Sequence, residues 1–337
     1  MLLLLRHRLN FMMNIRCFQR SFSAASLAPV QLPSPMEAHL WYILPNEVKN
    51  ASLLNQYLEI LSPCEKENVF RMRGDQLQRR ALLARALVRT TIARYHTNSQ
   101  VEPRSLKFNK NIYGKPEVEW QDVDGSHIPP LHFNISHTSS MIACGVTVNS
   151  AIGIDVEEKQ RKLKNNILAF ARRYFSPYEV GLLTAISDPE FQRQEFIKLW
   201  TLKTVQCRAA EVSPLKELGL KAYVKALGRG FSAAPFKTFT IRFRTATGGH
   251  LSEYRDSEAF DVVVDSFDDP KNLTSNWQFA LIELAGSHYA AVCIEGDRTT
   301  EGNGTRPMKL TVRRTIPFVE DECVSGTDAV VAIVGLT

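Results

Sequence analysis

A 29-residue segment (131–159), LHFNISHTSSMIACGVTVNSAIGIDVEEK, constrains the fold of this chain more than any other part of the sequence. Its extended apolar runs, separated by short turn signals, predict two or three β-strands. A long helix is predicted before it, because DQLQRRALLARALVRTTIARYH has apolar residues at helical spacing with arginines between them. This combination predicts a mixed α+β fold.

The second half of the chain changes again from helix to strand. KNNILAFARRYFSPYEVGLLTAI predicts two helices, and strands are predicted at FKTFTIRFR, AFDVVVDSF, NWQFALIELA and HYAAVCIE. The tetrapeptides SPCE (62–65) and SPYE (176–179) each have the serine, proline and glutamate of a capped helix start. We therefore expect two sheets, each accompanied by a long helix.

Composition sets broad limits on function. With 337 residues, 44% hydrophobic and 23% charged, the chain has the composition of a globular protein with one large or two medium domains. The formal net charge is +6, but the first 20 residues supply four arginines, so charge alone supports a polyanion partner only weakly. The six cysteines are scattered without a CxxC pair, which argues against a zinc site and a disulfide framework.

The first 35 residues contain several arginines and serines and no acidic residue; the first acid is Glu37. Such a composition is typical of an organellar transit peptide, and a disordered tail is the alternative. We expect this segment to direct the chain to the mitochondrion, with the plastid or the cytosol as alternatives.

The strongest candidate for chemistry is IGIDVEE. Asp155 and Glu157 lie two residues apart in a predicted strand, so their carboxylates share a face and suit a hard cation such as magnesium. The alternative is a pair of solvated acids at a strand end. In FNISHT, Ser136 and His137 offer a hydroxyl and an imidazole that can hold phosphate oxygens, unless His137 is a satisfied core histidine.

Further basic residues suit a phosphate. Lys115 in YGKP lies between a flexible glycine and a rigid proline, although this sequence is also a common turn. The long helix carries four arginines that form either a solvated face or anion contacts: Arg79, Arg80, Arg85 and Arg89. Ser176 and Glu179 are most simply a helix cap.

In chain order, the motifs GKP, FNxSH, GxDxE, FSxxE, FxxxWTxK and AxxKAxGxG resemble the 4'-phosphopantetheinyl transferase superfamily in its two-lobed, surfactin-synthetase-activating (Sfp-type) form. The resemblance extends from about Leu40 to Glu295. It implies a pseudo-dimer of two similar α+β lobes, and transfer of the phosphopantetheine arm of coenzyme A to a serine of an apo acyl carrier protein, releasing adenosine 3',5'-bisphosphate. Magnesium is the implied cofactor, and an acidic carrier protein, of fatty-acid synthesis or another pathway, is the implied partner.

The resemblance also implies three sets of site residues. The metal ligands are Asp155 and Glu157; the coenzyme A contacts are Arg73, Arg80, Lys115, Ser136, His137 and Lys225; the catalytic residues are Glu157, Lys203 and Lys225.

The implied division of the chain has four parts. We expect a transit peptide (1–35), an N-terminal lobe (36–150), a C-terminal lobe (151–296) and an extension (297–337), in a monomer without a membrane or nucleic-acid partner.

One motif departs from the family pattern, W-x-x-K-E-A-x-x-K, whose glutamate is the third metal ligand. Here Thr204 to Lys221 replace that single glutamate, which predicts a helix interrupted after Lys203. The slot four residues before Lys225 holds Lys221. Two unit charges 4 Å apart interact by about 4 kcal/mol at an effective dielectric constant near 20. We therefore expect weakened magnesium binding, unless Glu217 replaces the missing ligand.

Three classes of function follow. The first is a magnesium-dependent transferase, and the second is a non-catalytic relative that binds coenzyme A or the carrier protein. The third is an organellar nucleic-acid-binding protein, which would show a steep salt dependence of binding. The sequence leaves open whether the segment from Thr204 to Lys221 belongs to a genuine isoform or is an error in the chain.

Overall fold

A computed structural model describes residues 27–95, 101–110, 116–119, 130–163, 166–210, 237, 239–243, 262–266, 277–296 and 307–333. Helices and strands both contribute substantially, so the predicted α+β class is confirmed. In the described residues no helix combines the length and the apolar character needed to cross a bilayer.

The strands are β1 (Glu37–Ile43), β2 (Lys107–Lys110), β3 (Pro116–Glu119), β4 (Leu131–His137), β5 (Ile142–Val148), β6 (Ile152–Glu158), β7 (Phe239–Phe243), β8 (Val262–Ser266), β9 (Trp277–Leu284), β10 (His288–Glu295), β11 (Lys309–Ile316), β12 (Glu320–Cys323) and β13 (Val330–Ala332). The helices are α1 (Ala51–Glu59), α2 (Pro63–Phe70), α3 (Asp75–Ala93), α4 (Ile167–Tyr174), α5 (Pro177–Ala185) and α6 (Pro189–Ala210), with a 3-10 turn at Pro45–Glu47.

Two sheets form the centre of the fold. The first has the order β12-β11-β1-β5-β4, in which β1 runs antiparallel to β5 and parallel to β11. The second has the order β13-β9-β10-β6 and is antiparallel throughout. Two hairpins, β2 with β3 and β7 with β8, complete the described strands.

The same order of elements occurs twice along the chain. β1, α1 to α3, a hairpin and then β4 and β5 make the first set, and β6, α4 to α6, a hairpin and then β9 and β10 make the second. In the first set β1 pairs with β5, and β5 pairs with β4. In the second set β6 pairs with β10, and β10 pairs with β9. The two sets therefore share the same order of elements and the same pattern of strand pairing.

The two tetrapeptides with a capped helix start occupy equivalent places in this repeat. Ser62 and Glu65 form a complete capping box on α2, and Ser176 and Glu179 form one on α5, as predicted. Each glutamate also pairs with a basic residue 24 positions later, Glu65 with Arg89 at 2.7 Å and Glu179 with Lys203 at 2.8 Å. The cap thus ties each short helix to the long helix that follows.

Successive side chains of a strand point to opposite faces of its sheet, and this alternation explains how the sheets and helices are layered. On β6 the buried Ile152, Ile154 and Val156 belong to an apolar core shared with Leu40 and Tyr42 of β1. That core lies between the sheets. The alternate residues of β6 therefore point to the opposite face, against which α6 packs.

The segment after residue 306 contributes to both sheets. β11 adds a parallel strand beside β1, β12 pairs with β11, and β13 pairs with β9 at the edge of the second sheet. Val312 and Val324 are buried in the core between the sheets. The extension is thus integrated in the fold, whereas the predicted domain boundaries stay a prediction.

The predicted interruption of the helix after Lys203 is wrong as far as the described residues reach. α6 continues from Pro189 to Ala210 without a break. Thr204 and Val205 are buried in it. The apolar residue at 205 and the alanines at 209 and 210 suit a helix, so the segment begins as a continuation of α6. Residues 211–236 lie outside the described part.

Candidate active site

The site is centred on the junction between β4 and β6. Ser136 and Asp155 are both buried, and the Ser136 hydroxyl donates a hydrogen bond of 2.9 Å to Oδ1 of Asp155. The Asp155 side chain is on the face of β6 that packs against α6. The FNISH and GIDVE motifs, 19 residues apart in the chain, therefore meet in space.

Where β4 approaches β6, the two strands are joined by hydrogen bonds between side chains of β4 and backbone N–H groups of β6. The amide oxygen of Asn134 accepts a hydrogen bond from the backbone N–H of Ile154 at 3.1 Å. The Ser136 hydroxyl oxygen accepts one from the N–H of Val156 at 3.2 Å. Because these residues alternate on both strands, two polar side chains of one face join the first sheet to the second. The same bonds hold Asp155 in place.

Glu157 follows two residues after Asp155 on the same face of β6. Its side chain is half-buried and forms an ion pair with Arg161 just beyond the strand. Asp155 itself is 3% exposed. The strand therefore presents two carboxylates side by side, one deep and one nearer the surface.

The end of β4 carries basic and polar groups. His137 is exposed at the last position of β4. Arg80 on α3 donates a hydrogen bond of 3.3 Å to the backbone carbonyl of Thr138. Of the four arginines on α3, Arg80 is the one that donates a hydrogen bond to this loop in the described residues. Arg89 is instead buried in its ion pair with Glu65 and donates to the Pro103 carbonyl at 2.7 Å.

The loop after His137 is held by a network that reaches the second sheet. The hydroxyls of Thr138 and Ser140 lie 3.0 and 3.1 Å from Nε2 of His288, the first residue of β10. Ser139 and Ser140 both donate to Glu158. These serine hydrogen bonds lower the pKa of Glu158, whereas burial lowers the pKa of His288. The loop is therefore fixed between a carboxylate and a neutral imidazole.

Lys203 does not line an open cleft. Its side chain is 0% exposed, pairs with the equally buried Glu179, and donates a hydrogen bond of 2.7 Å to the Phe239 carbonyl. Glu179 in turn accepts from the backbone N–H of Ile241 at 2.9 Å. A fully buried ion pair cannot touch a substrate in this conformation. In this conformation Lys203 joins α5 and α6 to β7, and its catalytic role stays a prediction.

The other predicted residues divide into two groups. Arg73 is exposed in the connection between α2 and α3. Lys115, Glu217, Lys221 and Lys225 lie outside the described residues, so their predicted roles stay predictions.

Three residues of the site were not singled out from the sequence: Asn134, Glu158 and His288. Asn134 carried a signal, a polar amide inside the apolar run LHFNI. Glu158 and His288 carried none, because their partners are 18 or more residues away and are brought near only by the pairing of β6 with β10.

The donor set fits a magnesium ion in part. Asp155 and Glu157 offer carboxylate oxygens, which magnesium prefers, and magnesium usually keeps several waters and uses one or two carboxylates. Among the described residues there is no group of three or more His, Cys, Asp or Glu side chains that could hold a metal. The described part thus supplies two ligands and not a third.

Asp155 and Glu157 on β6, with His137 and Arg80 at the end of β4, bring two carboxylates and two basic side chains into one region of the fold. Residues 49–148 match the family described as 4'-phosphopantetheinyl transferase, N-terminal, and residues 151–203 match the 4'-phosphopantetheinyl transferase superfamily. These matches and the relatives below support the 4'-phosphopantetheinyl transferase superfamily, Sfp-type.

Individual relatives agree. The chain is 31% identical over 173 residues to a 4'-phosphopantetheinyl transferase of Bacillus subtilis, a match that spans 51% of this chain and 61% of the relative. It is 29% identical over 187 residues to 4'-phosphopantetheinyl transferase Sfp of Bacillus subtilis strain 168, a match that spans 56% of this chain and 68% of the relative. It is 28% identical over 196 residues to 4'-phosphopantetheinyl transferase HetI of a Nostoc species, a match that spans 58% of this chain and 70% of the relative. The match thus covers less than two thirds of the first of these relatives.

Proposed function

We propose that this protein transfers the 4'-phosphopantetheine arm of coenzyme A to a serine of an apo acyl carrier protein, with magnesium as the cofactor. The observation that carries the proposal is the hydrogen bond from Ser136 to Asp155, which joins the phosphate-binding motif to the carboxylate motif. The family match across both motifs supports it. The repeated order of elements supports the expected pseudo-dimer of two lobes.

In this mechanism Asp155 and Glu157 would hold the metal, which supplies charge neutralisation on the pyrophosphate of coenzyme A. Ser136 keeps the Asp155 carboxylate oriented through its hydrogen bond. His137 and Arg80, at the end of β4 and above the following loop, would bind phosphate oxygens. Arg73, Lys115 and Lys225 are proposed as further phosphate contacts.

The chemical step needs a base. The carrier serine oxygen forms a bond to the phosphorus of the pantetheine phosphate while the bond to the adenosine-side phosphate breaks, and adenosine 3',5'-bisphosphate leaves. The serine proton must go to a nearby acceptor, and the half-buried Glu157 carboxylate is the acceptor we propose. The positive charge of the site would also attract an acidic carrier protein.

The second candidate function is a non-catalytic relative that binds coenzyme A or the carrier. It is favoured by Thr204, which follows Lys203 on the unbroken α6, where the family pattern has a glutamate. The Thr204 hydroxyl is buried and has no hydrogen-bond partner among the described residues. A carboxylate is absent from this position.

The deciding experiment follows the mass of an apo acyl carrier protein incubated with coenzyme A, magnesium and the protein. A second version replaces Thr204 to Lys221 with a single glutamate. Transfer by both versions supports the enzyme. Transfer by the repaired version alone supports the non-catalytic relative, and transfer by neither contradicts the enzyme. Asp155→Asn in the active version is the control and should abolish transfer.

A sharper test concerns the metal alone. Thr204→Glu should bring a third carboxylate to the site, whereas Thr204→Gln adds the same volume without charge. We expect magnesium to raise the melting temperature of the glutamate variant more than that of the glutamine variant, because a ligand stabilises the state that binds it. An equal response of the two variants would place Thr204 away from the metal.

We also propose mitochondrial localisation, supported by the arginine-rich and acid-free composition of residues 1–35. Fusion of these residues to a fluorescent protein tests it. Fluorescence in the plastid or the cytosol would contradict the proposal.

A further inference from the structure

The geometry points to a second ligand site, a cavity between β1, β11 and the segment 28–34 that binds a small hydrophilic anion through a phosphate or carboxylate group held by Arg313. The cavity has a volume of about 520 Å³ and is polar. This inference does not rest on the proposed transferase function.

The cavity is separate from the candidate active site. Its wall is formed by β1 and β11, whereas Ser136 lies on β4. β1 and β5 stand between β11 and β4 in the first sheet, so the backbone of β11 at Arg313 lies about 14 Å from β4 at about 4.8 Å per strand.

The side chains that line the cavity carry more positive than negative charges. Three basic side chains line it, Arg94, Lys309 and Arg313, and two acidic ones, Glu37 and Asp321. Both carboxylates are already engaged. Asp321 pairs with Arg94 and accepts from Thr315. Glu37 is contacted by Ser34, His39, Lys309 and Thr311.

Among the described residues that line the cavity, Arg313 is the basic side chain without a counter-ion. In the described part of the chain it forms no ion pair, and its Nε atom is buried without a hydrogen-bond partner. Its guanidinium lies 5.4 Å from the ring centre of Trp41, and that of Arg94 lies 5.0 Å from the same ring. Because Arg94 is paired with Asp321, it is the charge of Arg313 that lacks an acidic partner among the described residues and favours an anion nearby. A guanidinium binds phosphate and carboxylate groups with two parallel hydrogen bonds.

The neighbouring groups restrict the ligand further. His39 is held between Tyr95 and Glu37, at 2.8 and 3.3 Å, so its ring is not available to an anion. Burial raises the pKa of Glu37. The hydrogen bonds from Ser34 and the nearby positive charges lower this pKa by more than burial raises it, to about 2. The ionised Glu37 and Asp321 can accept hydrogen bonds from ligand hydroxyl groups. The volume suits a molecule of metabolite size.

The test uses the full chain with 5-fluorotryptophan in place of its four tryptophans. Changing Trp120, Trp200 or Trp277 to Phe assigns their fluorine signals and leaves that of Trp41 by elimination. Inorganic phosphate and citrate are titrated separately at constant ionic strength. We expect a saturable shift of the Trp41 signal, and the probe that binds more tightly distinguishes a phosphate from a carboxylate ligand.

Two variants make the test specific. Arg313→Met keeps the apolar stem against Trp41 and should weaken binding at least 10-fold. Arg314→Met removes the same charge from the next residue of β11, which pairs with Glu47, and should bind as the unmodified chain does. Lys309→Gln, on a side chain that is 67% exposed, should fold normally and bind less tightly. The absence of a saturable shift with either anion, or an equal affinity of all variants, would overturn the inference.

Discussion

At the scale of single residues, the most consequential side chain is Lys203. The sequence pattern marks it as a motif lysine, and the structure buries it against Glu179 at 2.8 Å. Because removing one partner of a buried ion pair leaves the other charge without compensation, the pair is sensitive to single changes.

We expect Glu179→Ala to lower the free energy of unfolding by about 3–5 kcal/mol, measured by urea denaturation. Replacing both partners, Glu179→Leu with Lys203→Met, should cost less than the single change, because no buried charge remains. Glu67→Gln, in an exposed pair with Arg71, is the control and should cost less than about 1 kcal/mol. A loss of under 1 kcal/mol in Glu179→Ala would contradict a structural role.

His288 makes the stability depend on pH. Burial lowers its pKa in the folded state, while the unfolded state has a pKa of about 6.5. Between these values the unfolded state binds more protons, so stability is present above about pH 6.5 and falls as the pH decreases through the folded pKa. We expect His288→Gln to lose less stability between pH 7 and pH 5 than the unmodified chain, in urea denaturation at both pH values. Equal losses would exclude His288 as the cause.

At the scale of elements, β5 and β6 approach so closely that a side chain cannot fit between them. A Cβ atom on Gly145 would lie 2.5 Å from Cγ2 and 2.8 Å from Cδ1 of two isoleucines, Ile154 and Ile152 respectively. Glycine at this position lets the two sheets pack, and so sets the distance between β4 and β6 on which the site depends.

We expect Gly145→Ala to lower the free energy of unfolding by about 1–3 kcal/mol, because overpacking forces neighbouring side chains to move. The control is Gly181→Ala on α5, where nothing lies within 4 Å of the added Cβ and helix propensity favours alanine by up to about 1 kcal/mol. Thermal and urea denaturation measure both. The packing argument fails if the two variants change stability in the same direction.

At the scale of the whole molecule, the extension after residue 306 holds the two sheets together. It supplies β11 to the first and β13 to the second, with Val312 and Val324 in the core between them. A chain that lacked it would expose one edge of β1 and part of this core.

We expect a chain ending at residue 306 to lose cooperative unfolding and to aggregate, as measured by urea denaturation and size-exclusion chromatography. A chain ending at residue 325 loses only β13 and should unfold cooperatively at a lower urea concentration than the full chain. Normal stability of the shorter chain would show that the extension is dispensable.

The sequence by itself determined the local structure and the family. The capping boxes at Ser62 and Ser176, the strands from β4 to β10 and the long helix α3 follow from residue spacing, because caps and side-chain periods are local properties. The shared face of Asp155 and Glu157 follows from the same period. The order of the motifs along the chain indicates the superfamily without any three-dimensional contact.

Only the tertiary structure decided what depends on distant parts of the chain. The burial of Lys203 requires Glu179, the site loop requires His288, and the cavity beside Arg313 requires β11 to lie next to β1. Beyond Lys203, Val205 of α6 is buried in one cluster with Ala291 and Cys293 of β10, residues that are far from it in the chain. These features arise from contacts between residues far apart in the chain, and a local pattern contains no information about such partners.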